Sequence, residues 1–247
     1  MPPNELFHIL NTVDSTNNYA MAKLHEGMAK HGIAWFAREQ TGGRGQRGRT
    51  WHGRPNENIA ISMVNMLPGL TVNSQFDLSI NVALAVKDFL TQLKLPDIFI
   101  KWPNDIFIND RKAGGILIEN QIQGNYISSS IIGIGLNINQ TSFNDTLTNA
   151  ISIKQITGKN YDVEQLAMDL HLFVLNRVNN IAENKKISLS AYNDVLYKKD
   201  QLVKFKKDNI VFEAVVKSVQ ADGRLLLQHG VFLESYQFGE LIWLLAQ

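Results

Sequence analysis

Apolar and polar positions follow two rhythms along the chain, and the rhythm changes at identifiable punctuation. Residues 7–10 are a short apolar run. Asp14-Ser15-Thr16-Asn17 follows, four residues of the kind that cap helix N-termini. Beyond it Tyr19, Ala20, Ala22 and Leu24 predict a helix that ends near Gly27. Residues 33–37 and 59–64 read as strands, and between them residues 41–51 carry too much glycine and arginine for a regular element. Phe76, Ile80, Ala83, Leu84 and Leu90 fall on one helical face. Short β-like runs at 98–100 and 106–108 flank Trp102-Pro103-Asn104-Asp105. Asn109-Asp110-Arg111 reads as a turn feeding a strand at 116–119, and 126–138 is a longer extended run. Val163, Leu166, Ala167, Leu170, Phe173, Val174, Val178 and Ile181 predict one amphipathic helix.

After Lys198-Lys199-Asp200 the pattern turns wholly β-like. Five short runs, at 202–205, 210–219, 225–228, 231–236 and 241–245, are separated by the turn signals Asp222-Gly223, Gly230 and Gly239. The chain therefore reads as an α+β unit, a mixed β-sheet with packed helices, over residues 1–199, and a small β unit over 200–247. A unit that small is marginal alone and is expected to lean on the larger one. The 247 residues, 45% of them hydrophobic, suffice for a buried core. No repeat or low-complexity run is present. No stretch approaches the ~18 apolar residues of a spanning helix. The start, Met1-Pro2-Pro3-Asn4-Glu5-Leu6, has neither the basic nor the apolar part of a secretory signal, so a cytoplasmic protein is expected.

The absence of cysteine excludes disulfides, thiolate metal sites and any mechanism through an enzyme thioester. A formal charge of +1 speaks against a dedicated nucleic-acid binder. Four stretches stand out against this even background. Residues 42–49 hold four glycines and three arginines (Arg44, Arg47, Arg49) around Gln46. Glycine lets backbone N–H groups approach a ligand, and guanidinium forks onto carboxylate or phosphate oxygens. The same composition suits a flexible or RNA-binding loop, and it is not a P-loop. Lys101-Trp102-Pro103-Asn104-Asp105 is a shaped turn in which Trp102 by itself is best explained as core. Lys112 lies just before Gly114-Gly115 and an apolar strand, as a solvated turn lysine or as a cation placed where two anions meet. Gly133-Ile134-Gly135-Leu136-Asn137 lacks the third glycine of a dinucleotide fingerprint, so a Rossmann site is rejected in favour of a buried strand.

Together and in this order, these stretches resemble the signature of biotin protein ligases. Residues 43–49 with Trp51, Lys101–Asp105, Lys112 with residues 114–117, residues 133–137, and Ser15-Thr16-Asn17 are similar to five motifs of that family in register. The resemblance implies its fold, a biotin/lipoate ligase-like catalytic domain with an SH3-like β-barrel at the C-terminus. It also implies its reaction: biotin and ATP give biotinyl-5′-AMP and pyrophosphate, then a lysine of a biotin carboxyl carrier domain takes the biotinyl group and AMP leaves. Mg²⁺ would share the charge neutralisation.

Carried over by position, the resemblance assigns Ser15, Thr16, Asn17 and Gln40 to the biotin head. Arg44, Gly45 and Gln46 would close over biotin and adenylate. Lys112 would contact carboxylate and adenylate oxygens, with Gly115 allowing the approach. Arg47, Arg49, Trp51, Asn104 and Asn137 would handle ATP, and Asp105 would assist the acceptor amine. Ser15–Asn17 equally well caps a helix. Many members have arginine where this chain has Gln46, so looser adenylate retention is expected. Some members carry an N-terminal DNA-binding domain. Ser15 lies near the start here, so a monofunctional ligase with no DNA and no membrane partner is expected. No motif assigns metal ligands or an oligomeric state, and a homodimer is compatible with the chain. A lipoate-activating ligase of the same fold group is the nearest alternative, and an RNA-binding protein leaves four of the five motifs unexplained.

Overall fold

The computed structural model describes residues 5–144, 147 and 149–245, so residues 1–4 of the start read above lie outside it. Seven strands form one sheet in the order β1-β2-β3-β7-β6-β5-β4. They are β1 (Phe7–Val13), β2 (Ala34–Gln40), β3 (Asn58–Asn65), β4 (Ile98–Lys101), β5 (Asp105–Ile108), β6 (Arg111–Gln123) and β7 (Tyr126–Asn137). The β1–β2 pair is parallel and the other five are antiparallel. The parallel pair follows from the crossover between those strands, which carries α1 (Thr16–His25).

Side-chain alternation along the strands separates two faces. Ile59, Ile61 and Met63 of β3, with Ile132, Ile134 and Leu136 of β7, belong to the main core, which α2 (Gln75–Gln92), α4 (Val163–Asn179) and α5 (Ile181–Asp194) cover. Trp35, Val64 and Ile131 point the other way and, with Ala20 of α1, make a smaller apolar cluster. Beyond the N-terminus of α1 that second face is lined by small residues. Registers set Ala60 opposite Gly135, Ser62 opposite Gly133, Gly135 opposite Gly115, and Gly115 opposite Asp105.

The single helix expected to reach Ile181 is two. Asn180, with φ −108° and ψ 20°, ends α4 and starts α5. The apolar rhythm continues through the joint because Val178 and Ile181 both enter the core. A short α3 (Ile153–Thr157), not foreseen, is fixed by a capping box between Ser152 and Gln155.

The C-terminal strands β8 (Leu202–Lys207), β9 (Ile210–Val219), β10 (Leu225–His229), β11 (Phe232–Tyr236) and β12 (Ile242–Leu244) form an antiparallel sheet, β11-β10-β9-β8-β12. This is the small β unit expected at the C-terminus, and among the described residues no ladder joins β11 to β12. It is tied to the larger sheet at several points. Asn193 brackets Val219 through both its amide atoms, and the Trp102 indole N–H donates to the Gly223 carbonyl at 2.9 Å. Gly223 has φ +87°, and a Cβ there would sit 2.9 Å from the Phe76 ring, so the Asp222-Gly223 turn requires glycine twice over. Among the described residues no helix is long and apolar enough to cross a membrane.

Candidate active site

The face of small residues is the floor of a cavity of about 480 Å³. Every side chain above the floor is there for a local reason. The chain leaves β1 at Asp14 and turns into α1, with Ser15 in the N-cap position. Ser15 makes no side-chain capping bond, so the capping explanation of that residue is not what the structure shows. Thr16 donates through its backbone N–H and its hydroxyl to the Gln40 Oε1, at 2.8 and 3.1 Å. The Ser62 hydroxyl lies 2.5 Å from the Asn17 Oδ1 and 2.7 Å from the Thr16 Oγ1. The Asn17 Nδ2 donates to Glu119 at 2.8 Å. These buried polar groups form a network held in register before any ligand arrives.

The glycine–arginine segment is a narrow excursion closed on itself. Trp51 N–H donates to the Gly43 carbonyl at 2.9 Å, and Gly45 N–H to the Arg49 carbonyl at 2.7 Å. Its tip, Gln46–Gly48, is a 3₁₀ turn in which Arg47 takes φ 56°. A Cβ on Gly43 would meet the Trp51 carbonyl at 2.5 Å, so this crossing needs glycine. Arg44 lies against Glu119 in a two-point pair at 2.7 and 3.1 Å and also donates to Asn18. Arg47 reaches over the Phe238 ring to the Gly239 carbonyl at 3.0 Å. The Gln46 Nε2 is 3.4 Å from the Ile116 carbonyl, and its Oε1 is buried without a partner. Trp51 lies on the floor: a Cβ on Gly135 would be 2.4 Å from its indole.

At the far end of the floor three charges form a row. Lys112 Nζ donates to Asp105 Oδ1 at 2.6 Å, and Lys101 Nζ lies 3.8 Å from Asp105 Oδ2. Burial depresses the Lys101 ammonium to about 8; Lys112 and Arg49 push the same way, and Asp105 opposes them. Asn104 donates to the Ile116 carbonyl at 2.7 Å. A Cβ on Gly115 would stand at ordinary contact distance from Asp105 and Lys112, 3.6–3.7 Å. That glycine is therefore not demanded by packing, and its small size leaves room beside the lysine.

All fifteen residues singled out from the sequence line this one cavity: Ser15, Thr16, Asn17, Gln40, Arg44, Gly45, Gln46, Arg47, Arg49, Trp51, Asn104, Asp105, Lys112, Gly115 and Asn137. Asn137 is the least free of them. Its amide donates to the Ile151 carbonyl at 3.1 Å and approaches the Lys112 carbonyl, so it fastens the wall behind Lys112. Trp102, 2% exposed, is core as its lone tryptophan suggested.

Several lining or supporting residues had not been singled out for roles. Lys101 and Glu119 stood inside quoted motifs, and their partners are what distinguish them. Ser62 carried no sequence signal. Phe238, Gly239, Leu241, Ile242 and Trp243 come from the C-terminal sheet, some 130 residues from Lys112 in sequence. Among the described residues no group of three or more His, Asp or Glu could cage a metal ion.

A profile of the biotin/lipoate A/B protein ligase family matches residues 9–137. The bifunctional ligase/repressor BirA of Bacillus spizizenii is 35% identical over 157 residues, 62% of this chain and 48% of that protein. The chain thus spans about half of that relative's length. The biotin–[acetyl-CoA-carboxylase] ligase of Paracoccus denitrificans is 36% identical over 164 residues, 64% of this chain and 66% of the relative. Among solved structures, a biotin protein ligase of Aquifex aeolicus in complex with biotin and ATP superposes with a TM-score of 0.81 at 23% identity. That superposition covers 96% of this chain and 97% of that one, and it shows a shared fold.

Proposed function

The chain belongs to the biotin/lipoate A/B protein ligase family, and on that premise we propose that it activates biotin with ATP and transfers it to a lysine of a biotin carboxyl carrier domain. The observation that carries the reading is the convergence of five sequence motifs on one cavity whose floor is glycine and alanine and whose end is cationic. The floor leaves space for a flat bicyclic head. The Ser15–Asn17 and Gln40 network offers donors and acceptors to a ureido group. Arg44 and Glu119 hold one another at the cavity edge, where a substrate carboxylate would compete for the guanidinium.

In the first step the biotin carboxylate attacks the α-phosphorus of ATP and pyrophosphate leaves. The obstacle is repulsion between anions. Fixed cations at the meeting point answer it, and they cost no reorganisation during the reaction. Lys112 holds the central position, with Arg47 and Arg49 toward the triphosphate. Mg²⁺ would arrive with ATP and share the neutralisation of its phosphate charge. Trp51 shields the phosphates or packs on adenine, and Asn104 positions the loop through Ile116. In the second step a lysine amine attacks the acyl carbon and AMP leaves. The division near residue 199 into a catalytic unit and a β unit belongs to the same proposal, as do a cytoplasmic setting and a homodimer.

Mixing the protein with biotin, ATP, Mg²⁺ and a carrier domain is expected to raise the carrier's mass by one biotinyl group. A carrier of unchanged mass would overturn the reading. Pyrophosphate release with lipoate and not with biotin would replace it by the lipoate-activating alternative.

A further inference from the structure

We propose that Lys101, seated under Trp243 of the C-terminal sheet, is the group that accepts the proton of the incoming acceptor lysine in the transfer step. The proposal rests on the ligase reading above and concerns a need which that reading leaves open. A lysine amine reaches the enzyme as an ammonium, since its ordinary pKa is about 10.4. It has no lone pair to attack with until a proton is removed. The first step has no such requirement, because a carboxylate is already a nucleophile.

The cavity offers few groups for this task. Asp105 is paired through one oxygen with Lys112 at 2.6 Å, and a carboxylate is intrinsically a much weaker base than an amine. Lys112 is bound to that carboxylate and must stay a cation to hold phosphate oxygens. His52 lies on an exposed segment at the rim. Lys101 differs from all three. Its side chain is 15% exposed, and its Nζ lies over the faces of Trp243 at 5.1 Å and Phe107 at 5.8 Å. Its one ionic partner among the described residues is Asp105, beyond hydrogen-bond reach. Lys112 and Arg49 add charge of the same sign.

A cation in that place lacks water, and the like charges of Lys112 and Arg49 work against the attraction of Asp105, so the neutral amine is accessible near pH 8. A neutral lysine can take the proton of an arriving ammonium. The freed amine forms the C–N bond to the acyl carbon, and the acyl C–O bond breaks with its electron pair going to AMP. The second N–H proton leaves to the departing phosphate or water, and Lys101 returns its own to solvent.

The seat comes from a distant part of the chain. Trp243 is in β12, packed edge-on against Phe205 at 4.9 Å and against Tyr197 at 6.2 Å. Its ring face attracts an ammonium while its bulk keeps water away. Burial is the largest cause of the lowered proton affinity of Lys101, and the Trp243 ring against its Nζ is part of that burial. Trp243 is thus a positioning residue, and Lys101 is the group that meets substrate.

Enzyme loaded with biotinyl-5′-AMP and mixed with a carrier domain, in single turnover between pH 6 and 10, tests this. The natural protein should show transfer rising with pH and levelling near 8. Lys101→Met should lose the inflection and roughly 100-fold of the transfer rate, the usual scale for a lost proton acceptor. Its biotin-dependent ATP–pyrophosphate exchange should stay within several-fold of natural. Lys101→Arg, which keeps the charge and the fold, should lose transfer as Lys101→Met does. Trp243→Ala should move the inflection upward, and Trp243→Phe should restore it. His52→Ala should leave the profile unchanged. Equal losses of exchange and transfer in Lys101→Arg, an unchanged profile in either Lys101 variant, or loss of the inflection in His52→Ala would each overturn the proposal. Lack of biotin-dependent exchange in the natural protein would overturn the ligase reading itself.

Discussion

Gly133→Ala adds one methyl group at the point where the floor of the cavity meets its polar wall. The added Cβ would stand 2.1 Å from the Asn17 Oδ1, 2.9 Å from its Cγ and 3.1 Å from its Nδ2. Retreat of the side-chain tip alone does not relieve the clash, because Cγ is also too close and Asn17 is only 3% exposed. Asn17 must swing away. That breaks the Ser62 contact at 2.5 Å and the Glu119 contact at 2.8 Å. A neutral hydrogen bond contributes about 1 kcal/mol and one to a charged group about 2 kcal/mol, for a total near 3 kcal/mol. At ~2–4 °C per kcal/mol for a chain of this size, the melting temperature should fall by roughly 6–12 °C. Asn17 also leaves the proposed biotin subsite, so the KM for biotin in ATP–pyrophosphate exchange should rise at least tenfold, about 1.4 kcal/mol. The KM for ATP should move little. Thermal unfolding followed by circular dichroism, and exchange at varied biotin, measure the two effects. A variant with natural melting temperature and natural KM for biotin would refute the assignment of Asn17 to a fixed wall of the site.

Gly135→Ala, two residues along the same face, should give the opposite split, because its Cβ would meet the Trp51 indole at 2.4 Å. A several-fold higher KM for ATP with an unchanged KM for biotin is expected, and the reverse pattern would remove Trp51 from the nucleotide side. Lys112→Ala should lose adenylate formation by at least ~100-fold while keeping its melting temperature, since the Lys112 side chain is 35% exposed; retained exchange would cancel its central role. Gln46→Arg should release adenylate more slowly than the natural protein. A charge-assisted bond is roughly twice as strong as a neutral one, and the natural glutamine leaves one buried oxygen unpaired. Equal or slower release from the natural protein would sink that expectation.

His171 supplies a pH prediction. It is buried, its proton affinity is lowered chiefly by desolvation, and its Nε2 meets the Gly32 carbonyl at 2.7 Å. The unfolded chain therefore takes up its proton at higher pH than the folded one. The stabilising contribution is complete above pH 6.5 and is lost as pH falls through the lower folded value. Urea unfolding should show a smaller loss of stability from pH 7.5 to 5 in His171→Gln, which keeps a donor but cannot ionise. An identical loss in both proteins would assign the acid sensitivity elsewhere.

Most of the candidate site was legible because its residues lie in short motifs that resemble those of a known family in register. The crossing at Gly43, the approach of Trp51 to Gly135 and the close contact of Gly133 with Asn17 each exclude a side chain, and such exclusions leave glycines in fixed spacing. The helix α2 was legible because apolar residues recur on one face, and the strands β3 and β7 because burial on both sides leaves a nearly continuous apolar run. The break at Asn180 was not, because the apolar rhythm runs straight through it. Helix α5 was hidden by its composition: few of its positions are apolar, and Ser188 is buried through a hydrogen bond to Asn81 and not through hydrophobicity. Glu119 and Ser62 have roles defined wholly by partners on helix α1 and the glycine–arginine segment.

The sequence by itself determined the α+β character and the change to β structure after residue 199, and its resemblance to a family picked out the set of residues that share the cavity. Periodicity and turn chemistry are local, and local physics leaves local marks. The tertiary structure decided the strand order, the two-sided sheet, and the pairing order of the C-terminal strands. It also decided that Phe238, Gly239 and Trp243 complete the cavity wall and that Lys101 is a buried amine between two rings. Those facts depend on which surfaces remain to be covered once all the elements have packed. A lysine at position 101 reads the same in the sequence whether water or tryptophan lies above it, and only the packed chain settles which.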